Sequence, residues 1–172
     1  MAPRSKASDD APPPLDADRL RALALRYVER YQVSEAKLRR YLARKLWERG
    51  WAGDMPAPVE PLIAQLATLG YVDDRTFGEA RTRGLAARGF GPRRVTADLG
   101  AAGLARELAS ELGDTVDAQA AAERFAERRR FGPHDRQPFD PDRRRKQFAA
   151  MLRAGHAMDV VKAVLGRRGE DG

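Results

Sequence analysis

Arg40-Tyr41-Leu42-Ala43-Arg44-Lys45-Leu46-Trp47-Glu48-Arg49-Gly50 is the first of three related phrases in this chain. A cation stands ten residues before a glycine and an apolar residue stands four before it. The pattern returns as Arg93, Leu99 and Gly103, then as Arg145, Met151 and Gly155, with the glycines 53 and 52 residues apart. A glycine that closes an apolar-periodic stretch is the expected helix C-cap, because it reaches positive φ without a Cβ penalty. Each phrase therefore marks the second helix of a three-helix unit, and the phrases repeat because the unit does.

The flanking sequence supplies the other helices. Leu20, Leu23, Ala24, Tyr27, Val28 and Tyr31 fall on one face at spacings of three and four. Leu38, Tyr41, Leu42 and Leu46 do the same, with Ser34 placed as N-cap. Val59, Leu62, Ile63, Leu66 and Leu69 form a third stripe that Gly70 stops. Leaner stripes carried by alanine follow, through Phe77 and Ala80, Val95 and Leu99, Leu104 to Leu112, Ala118 to Phe125, Phe148 to Leu152 and Met158 to Leu165. The expectation is nine short helices and an all-α fold. They group into repeats over about 18–71, 72–114 and 115–167. Units of this size bury little alone, so they are expected to stack into an elongated curved array. Leu42, Leu46, Leu62, Ile63 and Leu66 are expected in the core. Residues 1–17, rich in Pro, Asp, Ser and Ala, read as a disordered tail, and 168–172 as a frayed end.

Composition narrows the function. The 172 residues carry 32 Lys and Arg against 25 Asp and Glu, a net charge of +7, and no cysteine. Disulfides, thiolate metal sites and a cysteine nucleophile are excluded. No apolar run is long enough to span a membrane. The basic start lacks an apolar segment behind it, so a soluble cytoplasmic protein is expected. A cationic chain favours polyanions or acidic protein faces as partners.

The cations are clustered. Lys37, Arg39, Arg40, Arg44 and Lys45 lie on the second helix, and Arg93 and Arg94 follow Gly91-Pro92. Arg128, Arg129, Arg143, Arg144, Arg145 and Lys146 crowd the third unit. Because Arg40, Arg93 and Arg145 correspond, stacked repeats are expected to align them as a basic stripe suited to phosphate backbones or an acidic groove. Arginine suits bidentate pairing. A single cation on a helix face is ordinarily just solvated, and Arg39 has Glu35 four residues before it.

Catalytic readings find no support. His134 and His156 lie apart, the first in a Pro-flanked loop and the second at a helix start, where it reads as a capping or surface residue. No phosphate-cradling glycine loop or nucleophile elbow is present, so neither enzyme activity nor a cofactor is expected. Asp73-Asp74 precedes a helix, where capping and the helix dipole account for it. Tyr71 and Phe77 are assigned to packing between units one and two. Trp47 lies off the main stripe and is either an exposed anchor or an inter-repeat contact.

Gly70-Tyr71-Val72-Asp73-Asp74-Arg75-Thr76-Phe77-Gly78-Glu79-Ala80, with Gly91-Pro92-Arg93-Arg94 and then Leu99 and Gly103, resembles the RecX family of recombination regulators. Ser34 to Leu42 is similar to that family's first-repeat phrase, and the likeness covers about residues 20–165. The third unit follows it loosely, through Met151, Gly155 and Val161, after a Pro- and charge-rich insertion at 131–140. The resemblance implies tandem three-helix repeats that bind RecA–single-stranded DNA filaments and lower RecA's ATPase, strand-exchange and co-protease activities. It implies a protein without cofactor or membrane association that acts in DNA repair and the SOS response, and a monomer is expected. The competing expectation is a general single-stranded nucleic-acid-binding helical protein.

Overall fold

The computed structural model describes residues 12–166, and every regular element among them is helical. The order is α1 Ala17–Arg30, α2 Glu35–Arg49, α3 Val59–Thr68, α4 Asp74–Ala87, α5 Pro92–Ala102, α6 Arg106–Asp114, α7 Ala118–Arg129, a short 3-10 turn Gly132–His134, α8 Pro141–Arg153 and α9 Met158–Gly166. Local chemistry explains the boundaries. Side chains of Asp16, Ser34, Asp117 and Asp140 accept from the orphan amides that open α1, α2, α7 and α8. Pro92 and Pro141 occupy first turns, where a missing N–H costs nothing. The three repeat glycines sit just beyond α2, α5 and α8, at φ +76°, +95° and +91°.

The chain divides into two compact units, Met1–Asp73 and Asp74–Gly172. In unit 1, α1 to α3 enclose Leu20, Ala24, Leu38, Leu42, Ile63 and Leu66, with Leu62 also buried and Leu46 packed at the edge. The tail expected up to residue 17 is corrected here. Its part beyond residue 11 is held in place, whereas residues 1–11, like the expected frayed end 168–172, lie outside the described residues. Leu15 is fully buried in the unit 1 core. Its N–H donates to the Gly50 carbonyl at 3.0 Å, and its own carbonyl accepts from Ala52 N–H at 2.9 Å. Arg49 clamps the same segment by donating Nε and Nη2 to the Pro13 carbonyl at 3.2 and 2.7 Å.

Unit 2 contains two helix triplets. Leu85, Val95, Leu99, Leu104 and Leu112 fill the space among α4, α5 and α6. Phe125, Met151, Val161 and Leu165 fill that among α7, α8 and α9. Two turns join the triplets: Gly91 N–H donates to the Ala154 carbonyl at 2.9 Å. A Cβ on Gly91 would meet the Gly155 carbonyl oxygen at 2.5 Å, so the turns touch backbone to backbone. His156 lies beside this joint, fully buried, with Nε2 3.0 Å from the Gly89 carbonyl oxygen. The expectation of a capping or surface histidine is therefore corrected. A carbonyl only accepts, so Nε2 carries the hydrogen, while Nδ1 has no partner among the described residues. Burial lowers the pKa of this imidazole, with the Gly89 hydrogen bond opposing the shift. Tyr71 is half exposed rather than packed, and Phe77 packs against the core of unit 2.

Candidate functional site

On α2, Leu38 and Leu42 turn inward, and the helical period then sends Lys37, Arg40, Arg44 and Trp47 to one outer face at steps of three and four. Lys37, Arg40 and Arg44 line a hollow of about 240 Å³ with Tyr27 and Tyr41. The two phenol rings stack nearly parallel with centroids 4.0 Å apart. The Arg44 guanidinium lies 5.8 Å from the Tyr41 centroid, a cation–π arrangement that holds its charge at the rim. Burial raises the Tyr27 hydroxyl pKa, with Arg44 pulling the other way, so the group stays a neutral donor. Lys37 and Arg40 make no ion pair among the described residues, whereas Arg44 reaches Glu48 at 3.5 Å. Trp47, 87 % exposed, extends the face as an open aromatic surface. Of the two alternatives for that residue, the exposed position is the one that describes it.

The other sequence-identified cations divide into used and open ones. Arg39 donates Nε and Nη2 to Glu60 on α3 at 2.5 and 2.7 Å, a bidentate pair that lowers the Glu60 pKa. Lys45 is engaged with Glu48 at 2.5 Å. Arg143 donates to Asp135 at 2.9 Å and to the Pro138 carbonyl, fastening the 131–140 insertion. Asp135 also accepts from Gln137 N–H and Gln147 Nε2, and these bonds hold its pKa down. Arg144 donates to the Leu165 carbonyl near the end of α9, and Arg145 pairs with Asp142. Arg143 and Arg144 stabilise the insertion and a helix end, whereas Arg145 and Asp142 form a surface pair that leaves the guanidinium largely exposed. Arg93, Arg128 and Lys146 are exposed, with no ion pair among the described residues.

Arg94 and Arg129 come together across unit 2 on a second hollow, about 310 Å³, with Arg153, Phe90, Phe125 and Phe131 around it. Sequence reasoning left out Arg153 and the phenylalanines. Arg153 lies outside the dense cationic runs, Phe125 reads as part of a helix stripe, and Phe131 falls in the Pro- and charge-rich insertion. Only the joint between α5, α7 and α8 brings them to one place.

No helix of the described residues is long and apolar enough to cross a membrane, and none of their His, Asp and Glu side chains group to hold a metal ion. The fold and these faces define a helical-repeat protein that presents cations and aromatic rings at its surface. Residues 73–112 match the family model described as RecX, second three-helix domain. The regulatory protein RecX of Myxococcus xanthus is 30 % identical over 152 residues, covering 83 % of this chain and 81 % of the relative. That of Halorhodospira halophila is 31 % identical over 156 residues, covering 90 % and 91 %. A crystal structure of regulatory protein RecX superposes with a TM-score of 0.63 over 88 % of this chain and 74 % of that one; at 16 % identity it speaks for the fold. The chain belongs to the RecX family of regulatory proteins.

Proposed function

We propose that the protein acts on RecA–single-stranded DNA filaments, lowering RecA's ATPase, strand-exchange and co-protease activities in DNA repair, and that the outer face of α2 makes one of the contacts. The observation that carries this reading is the union of family membership with the Lys37–Arg40–Arg44 hollow, where two of three cations lack a carboxylate partner among the described residues. Guanidinium and ammonium groups beside phenols suit either phosphate or carboxylate, the two anionic chemistries a nucleoprotein filament presents. Arg93, Arg128 and Lys146 are further candidates because their charges are exposed. Several weak contacts from one chain act together through a high effective concentration.

The test is RecA ATPase on preformed filaments with single-stranded DNA in excess, titrating the protein from far below the RecA concentration. Inhibition at substoichiometric amounts is expected. Lys37→Glu with Arg40→Glu is expected to weaken inhibition with helical content unchanged. Full inhibition by that folded variant removes the α2 face from the reading.

The competing reading is a general single-strand binder. Trp47 favours it, because an exposed indole beside cations is a stacking platform for bases. That reading predicts no effect until the DNA itself is saturated, with affinity falling steeply in salt.

A further inference from the structure

Arg94, Arg129 and Arg153 gather around one hollow in unit 2, and none of them makes an ion pair among the described residues. Two of the three have a local reason for their place. Arg129 and Arg153 end α7 and α8, where a cation complements the negative end of the helix. Arg94 does not. It stands in the first turn of α5, at the positive end of that helix, with no acidic residue in the same turn. Three like charges around one concavity repel each other until an anion arrives, and no acidic residue lines the hollow.

The base of the hollow is aromatic. Phe125 is the hub, with ring centroids 6.3 Å from Phe90 and 6.1 Å from Phe131. Arg94 lies over the Phe90 ring at 5.9 Å, and Arg129 over the Phe125 ring at 5.7 Å. Arg88 also lies over Phe90, at 5.4 Å. A guanidinium held over a ring keeps its planar fork of N–H donors available for a carboxylate. The hollow is a concave surface of about 310 Å³ whose lining the cations share with the ring edges, which suits a bulky side chain flanked by acids.

We propose that this hollow is a docking site for an acidic peptide segment of a partner protein, with one large apolar side chain seated on Phe90, Phe125 and Phe131 and neighbouring carboxylates paired with Arg94, Arg129 and Arg153. Aromatic pockets with arginine at the edge are the arrangement that concentrates binding energy at protein interfaces. The proposal does not rest on the filament reading, because peptide binding is measured on this chain alone.

The probe is a fluorescein-labelled peptide with a single Phe flanked on both sides by Asp and Glu, followed by anisotropy with the full chain. Binding is expected, and a peptide of equal charge with Ser in place of Phe should bind about tenfold more weakly. Arg129→Glu with Arg153→Glu should also lose about tenfold, at unchanged helical content. Ala150→Leu, which fills the hollow and leaves every cation in place, should weaken the Phe peptide and not the Ser one. Lys37→Glu with Arg40→Glu makes the same charge change on α2 and should leave the peptide affinity within about twofold. Equal binding of the two peptides, or equal loss from the α2 variant, would reduce the hollow to general charge attraction and overturn the proposal. Loss of oligothymidine affinity in Arg129→Glu with Arg153→Glu, without loss of the peptide, would overturn it as well and make the hollow a nucleic-acid surface.

Discussion

Replacing Gly155 by alanine tests how the two triplets of unit 2 are joined. Gly155 holds φ +91°, in the left-handed region, which costs an ordinary residue about 1–2 kcal/mol. A Cβ there would lie 2.9 Å from Arg94 Cα, 2.5 Å from its Cβ and closer still to its backbone nitrogen. Backbone atoms at the start of α5 cannot swing aside as a side-chain tip would. Overpacking of this kind adds about 1–3 kcal/mol, so Gly155→Ala should cost about 2–5 kcal/mol in total. With a urea slope of about 1–3 kcal/mol per molar for a small protein, the unfolding midpoint followed by circular dichroism should fall by roughly 1–5 M. Gly100→Ala is the control. Gly100 lies on α5 with nothing within 4 Å of an added Cβ, and alanine in a helix interior should gain about 0.5–1 kcal/mol. Tryptophan emission localises the loss, since Trp47 and Trp51 both belong to unit 1. A Gly155→Ala protein within about 0.5 kcal/mol of the parent would refute the backbone-on-backbone joint.

Other expectations follow from the same contacts. Leu15→Ala removes a fully buried side chain from unit 1 and should destabilise it by about 2–5 kcal/mol, read from the tryptophan transition; no shift would return this segment to a tail. Burial lowers the His156 pKa in the folded state, with the Gly89 hydrogen bond opposing it, so the unfolded chain takes up the proton first as pH falls. Stability should therefore decline as pH falls below the ordinary histidine value of about 6.5. His156→Gln should flatten that decline in urea midpoints measured between neutral and mildly acidic pH. Carboxylates with lowered pKa, such as Asp135, contribute stability at neutral pH that is lost only at more acidic pH. Asp135→Asn weakens the anchors from Arg143 and Gln147 and should raise hydrogen exchange and proteolytic nicking within 131–140; unchanged protection would show that the insertion is held by other contacts.

The helices were readable from the sequence because their causes are local. Ser34, the repeat glycines and apolar residues three and four apart act within a turn or two of themselves, and the three phrases fall on α2, α5 and α8. The family was readable for a related reason, since Gly70 to Ala80 and Gly91 to Arg94 are contiguous phrases. Three matters were not readable. Leu15 follows Pro12-Pro13-Pro14 and lacks apolar neighbours, and its partners at Gly50 and Ala52 arrive only when α2 turns back. His156 looked like a helix-start residue, yet Gly89, far earlier in the chain, closes over it. The cationic runs looked uniform, yet Arg39 finds Glu60, Arg143 finds Asp135 and Arg144 finds the Leu165 carbonyl.

The sequence by itself determined an all-helical chain of RecX type, because periodicity and capping are short-range and survive in a linear reading. Only the tertiary structure decided which charges are open. It gave Arg39, Arg143 and Arg144 to the fold, left Lys37 and Arg40 at the surface, and placed Arg94, Arg129 and Arg153 over one aromatic floor. Whether a cation is spent on the fold or open to a partner depends on which acceptors the packing brings within about 4 Å, and sequence distance does not encode that proximity.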